Sequence, residues 1–307
     1  PFSTDYLESY LLKQQLLSAS LQRHHDVDAS IESANVEQVI QMAKLSGKFP
    51  DLPTTQDHFD TWLDETEQFS QAIIHHDCDN PQLIDCKITL DLLGDNVNKT
   101  AKRSITIMAK MPVKITKEGG LLVFYRSSSP KPKDLFTLYL HQLILQIWQQ
   151  QYRESSDNTH LENVPDEVNT ANVLLNQIQS TCGFYFNAKS QKVEQFSLAN
   201  IDNAQAELIH LIKVFEEGQK QALLLNGDLA ALVFKQSRGK NIDMTQERFE
   251  EFWFGSDNIR AFGDDPYIHY FWPQCPDIFQ YLPDIYAIYQ NVYQYIVKVS
   301  SRSKGER

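Results

Sequence analysis

The sequence predicts an α/β (α+β) fold with a central mixed sheet flanked by helices, and three observations carry that expectation. Ile84, Cys86, Ile88, Leu90 and Leu92 alternate with Asp85, Lys87, Thr89 and Asp91, the period of two of a half-buried strand. Residues 121–126 are a short apolar run, with Gly119 and Gly120 before it and Pro130 and Pro132 after it, which marks a buried strand. From Asp134 onward, Leu135, Phe136, Leu138, Tyr139, Leu140, Leu143, Ile144, Leu145, Ile147 and Trp148 leave Thr137, His141, Gln142, Gln146 and Gln149 less than half of a helix circumference. Such a helix is expected to be mostly buried. A buried strand feeding a buried helix is the centre of an α/β layer, where ligands collect at the strand's carboxyl end.

The 307 residues suffice for one large domain or two, and an apolar fraction of 42% supports a substantial core. A formal charge of -12 argues against a protein that coats nucleic acid over its whole surface. Cys78, Cys86, Cys182 and Cys275 include no CxxC pair, so free thiols in a reducing cytoplasm are expected rather than a zinc site or a disulfide scaffold. No apolar run approaches the roughly 20 residues that span a bilayer, and no signal peptide is visible. The start at Pro1, without Met, suggests a fragment of something longer.

Taken in order, residues 1–77 read as a helical lead-in. Tyr6, Leu7, Tyr10, Leu11, Leu17 and Leu21 mark a first helix with a cap at Ser3 or Thr4, and a second runs over 29–45 and stops at Gly47. A third, capped by Thr54 or Thr55, carries Phe59, Trp62, Leu63, Phe69, Ile73 and Ile74 as a core stripe. Residues 78–226 form the expected α/β core. It holds the alternating strand, a turn at 94–98, strands at 104–109 and 113–116, the central strand and helix, a polar excursion at 153–170, and strands at 182–186 and 193–196. A helix over 201–215 ends near Gly218, and the apolar run 222–225 turns at Asn226-Gly227. Residues 227–307 are expected to be a carboxy-terminal helical segment packed on the core, with helices near 228–234 and 245–254.

Lys99, Lys102, Arg103, Lys110, Lys114, Lys117, Arg126, Lys131 and Lys133 are basic in a stretch where Glu118 is the one acid. Lys99, Lys102, Arg103, Lys110, Lys114, Lys117, Lys131 and Lys133 could therefore form a phosphate-binding face. A solvated hairpin, or a docking face for an acidic partner, fits the same charges.

A metal-dependent nuclease needs two or three carboxylates around Mg²⁺ and usually a lysine beside the attacking water, because hard cations demand oxygen ligands. The central strand and helix resemble in pattern the PD-(D/E)XK nuclease fold, which would make the core restriction-endonuclease-like. That resemblance implies acidic residues on adjacent strands and an acid-x-Lys pair in the strand before a long helix. The corresponding positions here read Phe124, Tyr125 and Arg126, with Pro112, Val113 and Lys114 on the preceding strand. The degenerate positions Pro112, Phe124 and Arg126 cannot hold a metal, so no catalytic or metal-binding residue is expected there.

A second resemblance is carried by Phe262-Gly263-Asp264-Asp265, Tyr267, Trp272-Pro273-Gln274 and the helix through Ile285, Tyr289, Val292 and Ile296. These are similar to the carboxyl terminus of the RecC family, the gamma subunits of exodeoxyribonuclease V. Residues 204–218 followed by Leu223-Leu224-Leu225 resemble a helix and apolar strand of that family, although Asn226 stands where a proline is expected. Residues 138–145 resemble its central helix, and Pro1-Phe2 with Tyr10, Gln14, Gln15, Leu16 and Leu17 resemble the lead-in. The resemblance implies a nuclease-like domain without an active site, in a cytoplasmic subunit that holds the motors, helps split the duplex and guides single strands. It implies RecB, RecD and DNA as partners and no membrane. No cofactor is expected on this chain, with ATP and Mg on the partner subunits.

Two other classes compete. Asp85-Cys86-Lys87 is an Asp-x-Lys on a predicted strand, with Asp77, Asp79 and Asp91 near in sequence, so an active Mg-dependent nuclease on Asp85 and Lys87 is the alternative enzyme. The same residues suit the exposed face of an ordinary edge strand. Phe249, Phe252, Trp253, Phe254, Tyr267, Tyr270, Phe271 and Trp272 could instead be anchors of a protein-docking module, or core. His24-His25 and His75-His76 have no ligand spacing and read as helix termini.

Overall fold

The computed structural model describes residues 6–23, 29–47, 49, 53–93, 102–117, 119–156, 172–198, 200–234, 244–256 and 260–299. Three helices come first, α1 (Tyr6–Arg23), α2 (Ala29–Leu45) and α3 (Pro53–His75). Then follow β1 (Gln82–Leu93), β2 (Lys102–Thr116), β3 (Gly119–Arg126), α4 (Pro132–Ser156), β4 (Ile178–Asn187) and β5 (Lys192–Leu198). Later helices include α5 (Ala204–Gly218), α6 (Gly227–Phe234), α7 (Gln246–Phe254), α8 (Pro266–Phe271) and α9 (Leu282–Tyr295), and β6 (Val297–Val299) closes the series. The fold is α/β, with a mixed sheet flanked by helices: strands lie in the order β1-β2-β3-β4-β5-β6 and only β3 and β4 are parallel. A parallel pair cannot be joined by a tight turn, and α4 is the crossover that joins it.

The chain divides into two compact units, one of residues 1–130, 138–204 and 297–307, the other of residues 131–137 and 205–296. In the first, β1 alternates as its sequence predicts: Ile84, Cys86, Ile88, Leu90 and Leu92 are buried and Asp85, Lys87, Thr89 and Asp91 exposed. β2 corrects the expectation of two strands at 104–109 and 113–116. It is one strand of 15 residues through Pro112. Pro112 reads as a break, yet β3 pairs only with residues 113–116 of β2, so from Pro112 backward that edge carries no ladder with β3 and a residue without an N–H is tolerated.

The two faces of β3 and β4 bury different helices. On one, Val123, Cys182, Phe184 and Phe186 pack with Leu17 and Leu21 of α1 and Phe69 and Ile73 of α3. On the other, α4 lies so close that a Cβ on Gly183 would stand 2.8 Å from Leu138 Cδ1. Burial in α1 differs from its predicted stripe: Leu7 and Leu11 are exposed, while Leu12 and Leu16 pack with Phe49 and Phe59. The caps expected at Ser3 or Thr4 lie outside the described residues, and Thr54 and Thr55 sit inside α3.

α4 begins at Pro132 rather than Asp134. Pro132 supplies the preset φ of a first helical position, and Asp134 Oδ2 reaches back to accept the Lys131 N–H at 2.8 Å. Its polar residues are not a simple solvent stripe. Gln142 is buried and accepts the Thr181 hydroxyl at 2.7 Å. Gln146 clasps the backbone of Ile201 in both directions, and Gln149 donates to the carbonyls of Leu175 and Ile178. α4 ends at Ser156, and the rest of the expected excursion lies outside the described residues.

The second unit has its own core, built on Leu224, Leu229, Ala230, Phe249, Trp253, Ile278 and Ile285. No strand forms at 222–225; Leu224 is buried from an irregular segment. α7 begins as expected, with Thr245 Oγ1 accepting the Arg248 N–H at 3.3 Å. In the first unit, β6 pairs with β5, a strand that the reading of this end as helical did not foresee. Lys298 bonds Glu194 there at 2.8 Å.

Candidate functional site

The carboxyl end of β3 is where an α/β layer would carry chemistry. Pairing of Leu122 with Val113 places Phe124 and Arg126 on the face that carries Met111 and Val113. Pro112 belongs to the opposite face, so the structure brings Phe124 and Arg126 together and leaves Pro112 out. Phe124 meets His141 of α4 edge-on, with ring centroids 4.8 Å apart. The Arg126 guanidinium lies 5.3 Å from the centroid of the Tyr10 ring in α1, and Gln14 donates to Ser127 Oγ at 2.5 Å. These contacts fix the end of β3 from both sides.

The side chains that β2 and β3 present on this face do not suit Mg²⁺. Phe124, Val113 and Met111 offer no hard oxygen, and Arg126 brings a positive charge to where a cation would sit. Among the described residues, no three His, Cys, Asp or Glu side chains stand together as a metal cage. The sequence does not reveal the plug, because Gln14 and Ser127 are 113 residues apart.

The Asp-x-Lys of β1 stands elsewhere. Asp85 and Lys87 are exposed and face Lys110 and Met108 across the ladder. Asp91, six residues on, is roughly 20 Å away at 3.3 Å per residue. Asp77 and Asp79 are engaged by Lys114, whose Nζ lies 3.8 Å from Asp77 Oδ1 and 3.3 Å from Asp79 Oδ1 and donates to the Asp79 carbonyl at 2.7 Å. The carboxylates near Asp85 in sequence therefore do not converge on it.

The basic stretch is also divided. Lys99 lies outside the described residues and Lys102 opens β2. Pairing puts Lys110 on the exposed sheet face opposite Asp85 and Arg103 on the other face opposite Leu92. Lys114 is half-buried in its ion pairs. Lys131 and Lys133 are exposed but belong to the second unit.

Lys117 lines a cleft of about 1210 Å³ at the opposite, amino-terminal end of β3 and β4, together with His75, His76, Asp77, Gln179 and Gln195. The sequence offers no sign of it, because its walls come from five separate segments. On its floor, burial, then Cys182 and Asp77, push the Cys78 thiol up to about 12. Burial does the same to Cys86 in β1. The Tyr125 phenol is raised by burial and by Asp79. His24 and His25 lie outside the described residues.

A family model, described as the RecC C-terminal domain, matches residues 1–238 of the chain. The chain belongs to this RecC C-terminal domain family. The matched span covers α1 through α6 and thus the plugged strand end; it stops before the Gly263-to-Gln274 stretch, where the sequence resemblance to RecC was most specific. No curated protein matches the chain. Among the described residues of this RecC-type domain, no helix is long and apolar enough to cross a membrane.

Proposed function

We propose that this chain is a non-catalytic, nuclease-like domain of a RecC subunit, acting as scaffold and DNA-handling element in the cytoplasmic RecBCD helicase-nuclease during repair by homologous recombination. The family match supports RecBCD membership, with RecB, RecD and DNA as partners. The observation that carries the non-catalytic part is the identity of Phe124 and Arg126 on β3, the strand that leads into the long α4 beside β2. That is the place where a PD-(D/E)XK nuclease, which this core resembles, would hold its acid-x-Lys pair. ATP hydrolysis and Mg-dependent cutting then belong to the partner subunits.

DNA contact falls to exposed bases that are not committed to acids in the fold. Lys114 is held by Asp79, which leaves Lys110 and Lys117 as the stronger candidates of the basic stretch in the first unit. The test is forked-DNA binding by the reconstituted complex with Lys110→Glu and Lys117→Glu. Affinity falls and the salt dependence flattens, by about 0.9 in log–log slope for each phosphate contact removed. Unchanged affinity at low salt rejects the assignment.

A further inference from the structure

The second unit displays aromatic side chains that its core does not use. α8 has no buried residue, although Asp265 caps it by accepting from the N–H groups of Tyr267 and Ile268. Tyr267 is 81% exposed, Tyr270 78%, and Phe271 and Phe279 54% each. Beneath them the chain is tightly held. A Cβ on Gly263 would collide with the Trp253 indole, and Trp272 Nε1 donates to Tyr281 Oη at 3.0 Å. Gln246 accepts the Ile278 N–H at 3.0 Å and donates to the Pro276 carbonyl at 3.2 Å. Exposed rings on a fixed base lose little freedom on binding, which suits interface anchors.

Charge narrows what can bind. Residues 261–296 contain Asp264, Asp265, Asp277 and Asp284, with His269 but no lysine or arginine. A stacking platform for single-stranded nucleic acid needs a positive groove, and this surface repels phosphate. A second copy of the same surface would meet like charge. A groove of about 740 Å³ beside Tyr267 has Phe252, Phe262 and Ile268 in its walls, with Asp228 and Asp265 against the single base Arg260. Exposed aromatic faces on an acidic stretch complement lysine and arginine, through cation–π contact and ion pairing. The area is adequate: four rings of roughly 150–250 Å² each, half to four-fifths exposed, supply about 500 Å² of the roughly 800 Å² that a standard interface takes from each partner.

We propose that the exposed aromatic and acidic residues of 264–284, with Tyr267, Tyr270, Phe271 and Phe279 as anchors and Asp277 and Asp284 as exposed acids of the same stretch, dock a lysine- and arginine-bearing face of another protein subunit. The inference rests on the chain's place in a multisubunit complex and assigns the surface by which one neighbour is held. The test titrates the full-length subunit against the RecB-type and RecD-type subunits separately. Two variants are compared with the wild type: Tyr267→Ser with Tyr270→Ser and Phe271→Ala, and Asp277→Lys with Asp284→Lys. Every substituted side chain is exposed, and an unchanged melting temperature verifies the fold. Each variant weakens binding to one of the two subunits at least about tenfold, while forked-DNA binding by the isolated chain stays as in the wild type. Wild-type affinity in both variants overturns this proposal alone. So does a loss that appears in DNA binding, or in self-association of the chain, instead. A wild-type chain that binds neither subunit overturns the proposed function as well.

Discussion

An acid-x-Lys nuclease site would need both an enclosed place and the right residue types, and two strands of the first unit have one of these each. The end of β3 has the place: it lies at the carboxyl end of a parallel strand, beside α4, with helices closing around it. Its residues are Phe124 and Arg126, fixed by His141 and Tyr10. β1 has the residue types, Asp85 and Lys87, but on an exposed face of an edge strand, opposite Lys110 and Met108. A carboxylate and a lysine become a catalytic pair only where further acids converge and water is excluded. Residue type without such enclosure is an ordinary solvated strand.

The comparison predicts unequal consequences, and the largest tests whether the β3 layer holds the fold. Leu122→Ala removes a side chain with 0% exposure and is expected to cost about 2–5 kcal/mol in urea denaturation. Asp85→Ala on β1 should stay within about 0.5 kcal/mol. Comparable losses at both positions would erase the distinction drawn here.

A second effect follows from the thiols under the sheet. The Cys78 and Cys86 thiols are held at about 12 in the fold against an ordinary 9.0, so above pH 9 the unfolded chain releases protons that the folded chain keeps. Stability therefore falls as pH rises from 9 toward 12, by about 1.4 kcal/mol per thiol at pH 10. Equilibrium unfolding across that range checks it, and Cys86→Ala should flatten the slope. Of similar size is Gln142→Ala, which strands the Thr181 hydroxyl and is expected to cost about 1–3 kcal/mol.

The sequence was legible where a side chain's environment follows from parity or period. β1 alternates because each residue faces either the core or water, and the core run at 121–126 needed only its apolar character. The misses share another cause, dependence on a distant partner. The glutamines of α4 look like a solvent stripe because polarity cannot distinguish water from the carbonyl of Ile178 or the backbone of Ile201. Pro112 looked like a break because the sequence does not show that β3 stops short of it. That Pro112 stands on the opposite face from Phe124 and Arg126 was not readable either, because facing across a turn depends on register, which is set by pairing. β6 is three residues long, too short to show a period. Of the candidate site, the residue types at the end of β3 were readable, while the plug of Tyr10, Gln14 and His141 was not.

The most direct measurement incubates the purified chain, without partner subunits, with linear DNA and Mg²⁺ or Mn²⁺. The proposed non-catalytic role, with Phe124 and Arg126 at the strand end, leaves the DNA intact with either ion. Metal-dependent cleavage that disappears in Asp85→Ala would contradict it and move the chemistry to β1.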